Sequence, residues 1–307
     1  MSADIADPAV PIATDIAGLE PIERIKSRWP MLFGGLLTVA MILGVARELF
    51  DSGFAGLGRA VPTNPMFYVA FGLLYVSLPI ADYIIFRRLW RIPIGGLAAL
   101  VKKRIANEAV LGYSGEAYFY AWARQRSQMV AAPFGAVKDV SILSAIAGNG
   151  ITLGMIAIAL PFGYDLLTAG QFRTLATSSV VVMAITLPFL LFSRRIFSLP
   201  QAKLWWIFSV HLVRVCAGAV LLAFAWHFAM PQVSVEMWLL LSAGRLLVSR
   251  LPLVPNNDLL FANFAIIFIG QGLALSNLMA FSAALTLLIH GVLIGVLSVY
   301  SLFKDPQ

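Results

Sequence analysis

Five charged residues fall inside or beside stretches otherwise apolar enough to lie in a bilayer: Glu116, Asp139, Arg214, Arg245 and Arg250. A charge at bilayer centre costs at least about 2.5–3.5 kcal/mol on insertion scales, so each needs a partner, water or a function. The planar arginine guanidinium matches a carboxylate or a phosphate with paired hydrogen bonds. A carboxylate beside it orders the arginine or carries a proton. Together these residue types describe either a pocket for an anionic headgroup, in which all five bind substrate, or an internal network of ion pairs. Asp82, Glu108, His211, Asp258 and His290 stand behind them as further polar groups in apolar surroundings. Arg214 is the hardest to place otherwise, because it falls about ten residues after Leu204 and so near mid-depth at helical rise.

Other chemistries find less support. No group of His, Cys and acidic residues has metal-ligand spacing, so neither a metal nor a cofactor is expected. Cys216 is the only cysteine, which excludes a disulfide within the chain. Spaced aspartates of the kind used by intramembrane phosphatidyltransferases are absent. Gly112-Tyr113-Ser114-Gly115 is similar to the Gly-x-Ser-Gly of rhomboid proteases, and His290 precedes Gly291. A serine nucleophile needs a base within hydrogen-bond reach, and His290 comes far later than the rhomboid spacing. An intramembrane serine hydrolase is therefore an outlying alternative, and a non-enzymatic protein is the expectation.

The elements that must position these residues are helical. Of 307 residues, 60% are hydrophobic and 12% charged, too apolar a balance for a soluble globular domain. The formal charge of +7 comes from Lys and Arg clustered beside apolar runs, which points to membrane orientation and anionic lipid headgroups, with no nucleic acid partner. An acidic, proline-bearing stretch over residues 1–29 reads as a disordered cytoplasmic tail that stays on the mature protein. Residues 30–304 read as a single transmembrane domain in the cell (inner) membrane. Apolar runs at Met31–Leu49, Met66–Leu89, Val140–Pro161, Thr177–Phe192, Leu204–Phe228, Met237–Val254, Leu259–Leu275 and Leu278–Leu302 predict about eight transmembrane helices. The last two form a hairpin joined near Ser276 and Asn277. Lys and Arg excess at the loop ends places both termini in the cytoplasm.

One stretch fits neither a span nor a soluble segment. Val101–Val140 opens with Lys102, Lys103 and Arg104, closes with Lys138, and holds Gly112, Ser114, Gly115 and Glu116 between. Positive charge at both ends keeps both on one side, so residues from about 93 to 138 predict a re-entrant pair of half-helices broken at Gly112, Ser114 and Gly115. Half-helix ends meeting there would offer free amides and a dipole to an ion or a phosphate. The alternative is an interfacial amphipathic helix whose aromatic belt is Tyr118 to Trp122.

Three motifs occur in a telling order: Gly115-Glu116 after a basic run, Lys138-Asp139 at the head of the next span, and RLPLVPNND from Arg250 to Asp258 before a paired apolar finish. In that order the chain resembles the membrane, flippase-like region of the lysylphosphatidylglycerol synthase family, without the soluble transferase domain. It departs from the family in carrying Asn256, Asn257 and Asp258, then Asn263, where members have a glycine pair and an acidic residue. The resemblance implies half-spanning helices and a membrane transporter that moves an amphipathic lipid or lipid-linked anion between leaflets through a polar cavity. Its partners would be membrane lipids with anionic headgroups, with a homo-oligomer or a biosynthetic enzyme as further partners. A non-catalytic membrane partner of a lipid or envelope biosynthesis enzyme is the alternative.

Overall fold

The computed structural model describes residues 61–110, 113–126, 134–163, 169–191, 196–249 and 272–303, with isolated positions between 36 and 47. Eight helices lie within the described residues, and no strand does: α1 Pro65–Trp90, α2 Gly96–Ala109, α3 Ser114–Arg126, α4 Phe134–Gly163, α5 Ala169–Leu191, α6 Gln201–Ala229, α7 Val235–Ser249 and α8 Gly272–Phe303. Among the described residues, three helical stretches are long and apolar enough to cross a bilayer: α1, α6 and Ala274–Val299 of α8. The chain is thus a helical membrane protein. Most of the expected first span, Met31–Leu49, and all of the stretch from Arg250 to Gln271 lie outside the described residues.

Local chemistry sets the ends of α1. Asn64 caps it by accepting from the Met66 amide at 2.9 Å, and Pro65 occupies the first turn, where its missing N–H has no helical partner to lose. At the other end Arg91 turns into the left-handed region at φ 51°, its amide donating to the Arg87 carbonyl. Arg87 and Arg88 complement the negative end of the helix dipole, and the Arg88 guanidinium lies 4.3 Å from the Trp206 ring of α6.

Helix α6 is the hub, packing against α1, α4 and α7. Phe67 and Phe71 from the start of α1 share an apolar cluster with Leu222 and Trp226 from the end of α6. Ile85 and Phe86 from the end of α1 share another with Ile207 from the start of α6. The two helices therefore run antiparallel, and each carries polar residues between the clusters, among them Tyr75 and Asp82 on α1 and His211 and Arg214 on α6. Between helices in a bilayer, close packing and hydrogen bonds hold the contact, since lipid tails are as apolar as leucine.

The central stretch folds as a hairpin of two short helices. At helical rise the 14 residues of α2 reach about 21 Å and the 13 of α3 about 20 Å, short of a hydrocarbon core of about 30 Å. Both limbs meet α1 near its Arg87–Arg91 end: Ile92 and Leu100 join the Ile85–Phe86 cluster, and Trp90 stacks with Phe119 of α3 at 6.2 Å between ring centroids. Further along α1, the Arg104 guanidinium of α2 sits 4.2 Å from the Tyr75 ring. Tyr113 enters α3 at φ 70°. A side chain at Gly115 would place its Cβ 2.0 Å from the Lys103 carbonyl oxygen, so the close approach of the limbs requires glycine.

Three boundaries differ from the sequence reading, one of them the start of α5 at Ala169, eight residues before the expected Thr177. Ser276 and Asn277 stand inside α8, not in a turn between two spans. Ser276 faces a cavity, so a polar residue in the apolar run marks a lining position and not a chain reversal. Likewise α4 begins at Phe134, six residues before the expected span, which puts Lys138 and Asp139 inside the helix.

Candidate functional site

Helix α2 presents Lys103 inward along a stripe that includes Ala99, Leu100 and Ala106, all buried. Its ammonium lies 2.7 Å from Asp82 of α1 and 3.4 Å from Glu116 of α3. Ser141 of α4 donates to Glu116 at 3.1 Å, so one buried cation ties four helices together. Such a geometry is required, because burying an ammonium or a carboxylate without a partner costs several kcal/mol. His211 of α6 is fully buried within electrostatic reach of Asp82, Lys103 and Arg214. One helical turn further on, Arg214 donates to Ser144 of α4 at 3.2 Å.

A second polar group lies on the neighbouring face of α2. Arg104 and Glu108, four residues apart, pair at 2.8 Å, and Glu108 also meets His290 of α8 at 3.2 Å. Arg104 donates in addition to the Tyr75 carbonyl of α1. Tyr75 and His290 are themselves in contact, with ring centroids 5.4 Å apart.

Two cavities flank this layer. The larger, about 740 Å³, lies among α1, α2, α6, α7 and α8 and gathers Arg104, Glu108, Arg214 and Arg245 within a wall that is otherwise mainly apolar. Arg245 sits over Trp226 at 6.0 Å from the ring centroid. The hydroxyls of Ser276, Ser282 and Thr286 line the α8 side. The smaller cavity, about 530 Å³, lies among α3, α4 and α5 and is lined by Glu116, Lys138, Ser141, Tyr120, Asn149 and Thr186 among others.

The residues singled out from sequence thus divide. Arg214 and Arg245 share the larger cavity, whereas Glu116 lines the smaller one and reaches Arg214's surroundings through Lys103. Asp139 is fully buried and lines neither cavity: one oxygen accepts from the Ser198 and Leu199 amides at 2.7 and 2.8 Å, pinning the turn that enters α6. Lys138 completes that clasp by donating to the Ile196 carbonyl. Arg250, Gly112 and Asp258 lie outside the described residues. At the break, Ser114 donates to the Ala106 carbonyl at 2.8 Å and the Gly115 amide donates to Asn107 at 2.7 Å. These groups tie the hairpin to itself, so the Gly115 amide is not the free donor that the glycine pattern implied.

Sequence reasoning passed over Lys103 and Arg104, which read as orientation charges. Their signal was present: Lys103 lies on the apolar stripe of α2, and Arg104 stands four residues before Glu108, the spacing of a helical ion pair. Fold and site together define a helical membrane protein with a charged layer between two cavities. No protein-family model, curated protein or solved structure matches the chain.

Proposed function

We propose that the protein moves an amphipathic lipid or lipid-linked anion between leaflets, the headgroup travelling through the larger cavity while the acyl tails stay in the bilayer. The observation that carries this reading is the composition of that cavity: three arginines against one glutamate, in a space walled in part by the membrane-competent stretches of α1, α6 and α8. An anionic headgroup leaving water needs hydrogen bonds and countercharge, and guanidinium groups supply both. On the α8 side the Ser282 and Thr286 hydroxyls donate to carbonyls of their own helix, and Ser276 adds a third hydroxyl to the wall. In this reading α2 and α3 are a re-entrant hairpin, the chain crosses the bilayer about eight times with both ends cytoplasmic, and the likeness to the flippase region of lysylphosphatidylglycerol synthases reflects a shared task. Glu116 acts from the second cavity, through Lys103, and Asp139 positions the entry to α6.

The test is movement of a fluorescent anionic phospholipid in reconstituted vesicles. Losing one charged hydrogen-bonding partner is worth about 1.5–3 kcal/mol, so Arg214→Ala should slow movement by about ten- to a hundredfold while folded yield stays near that of the parent. An unchanged rate in that variant removes Arg214 from the path.

A further inference from the structure

Asp82, Lys103, Glu116, His211 and Arg214 form one layer that reaches both cavities: Arg214 lines the larger, and Glu116 lines the smaller. Among the described residues the Asp82 and Glu116 carboxylates meet the Lys103 ammonium directly, and Arg214 adds positive charge beside His211. An anion bound to Arg214 cancels that positive charge and leaves Asp82, Lys103 and Glu116 with a net charge of −1. At His211 the balance of nearby charge then shifts toward Asp82, which favours a proton on the imidazole.

His211 is the group placed to take that proton. It is fully buried, and neither ring nitrogen closes a well-formed hydrogen bond, although the Val140 backbone of α4 is near. It stands three residues before Arg214, hence on the same side of α6. An imidazolium there is attracted by Asp82 of α1 and repelled by Lys103 of α2 and Arg214 of α6. From α3, Glu116 acts behind Lys103. On α4 the nearby polar side chain is Ser144, already bonded to Arg214, and Asp139 is engaged with the Ser198 and Leu199 amides. Arg245 of α7 sits four turns along α6, over Trp226. Of these influences, the repulsion from Arg214 is the one an anion in the cavity removes.

We propose that His211 binds a proton when an anionic headgroup occupies the cavity beside Arg214 and releases it when the headgroup leaves, so that one anion moves with one proton. This rests on the transport reading above. The proton comes from water onto an imidazole nitrogen and returns to water on release, and no covalent bond to the lipid changes.

Purified protein in weakly buffered detergent with a pH-indicator dye provides the test, titrated with dihexanoyl phosphatidylglycerol, a fixed monoanion. Uptake of about one proton per lipid bound is expected, by linkage of proton and anion binding. His211→Gln, which keeps a polar side chain but cannot become a cation, should bind lipid more weakly and take up no proton. Dimethyl phosphate, which has the same charge without tails, serves as the second ligand: uptake with the lipid alone assigns the site to lipids, and uptake with both assigns it to phosphodiester anions generally. Lipid binding without proton uptake by the parent protein, no binding at all, or equal uptake in His211→Gln overturns the proposal. The parent measurement decides even if the variant does not fold. Movement of labelled lipid in vesicles without proton uptake would leave the transport reading standing and sink the coupling. Proton uptake on binding without movement between leaflets would do the reverse.

Discussion

At the scale of single residues, the layer is held by contacts with little slack. Gly115 shows this best, since a Cβ there would meet the Lys103 carbonyl at 2.0 Å and the Asn107 side chain at 2.8 Å. Backbone cannot swing aside as a flexible side chain does, so Gly115→Ala should force α2 and α3 apart at a cost of about 1–3 kcal/mol. Thermal unfolding in detergent should show a lower Tm for this variant. Gly150→Ala, which meets nothing within 4 Å, should leave Tm unchanged or raise it. Equal melting of the two would mean that the limbs are not in contact at Gly115. Arg214, Arg245 and Glu116, which line the cavities, were legible in the sequence as charges with no business in a bilayer, and so was Asp139, which fastens a turn instead. Their partnership was not. Asp82 and Lys103 are 21 positions apart and Ser144 and Arg214 are 70, and no local spacing announces such pairs.

At the scale of elements, hydropathy marked the three helices that are long and apolar enough to cross a bilayer among the described residues, while boundaries set by tertiary contacts escaped. The expected turn at Ser276 and Asn277 is continuous helix, and Ser276 sits at the edge of a cavity, where polarity does not end a span. Asn277→Pro should therefore remove a backbone hydrogen bond inside α8 and cost about 3 kcal/mol or more, visible as a lower Tm. A turn at that position would tolerate the substitution. The hairpin makes its own prediction by sidedness. In a Cys216→Ala background, cysteines at Ile94 and Phe134, both exposed and flanking α2 and α3, should react with a membrane-impermeant maleimide from one side, and a cysteine at Val61, beyond the other end of α1, from the opposite side. Reaction of Ile94 and Phe134 from opposite sides would make the stretch a span instead of a re-entrant hairpin.

At the scale of the whole molecule, two apolar clusters close the ends of the α1–α6 pair and leave a charged layer between them, open to a cavity on each flank. That arrangement separates two uses of charge. Asp139 and Lys138 fasten a turn, whereas Arg104, Arg214 and Arg245 converge on a space large enough for a headgroup. The most direct test is photolabelling of the reconstituted protein by an anionic phospholipid with a diazirine in its headgroup, mapped by mass spectrometry. Label on α2 near Arg104 and on α6 near Arg214, lost in Arg214→Ala, is the predicted result. Label confined to outward side chains such as Leu73, Val180 and Val292, with the same pattern in Arg214→Ala, would contradict the claim that this cavity receives the headgroup.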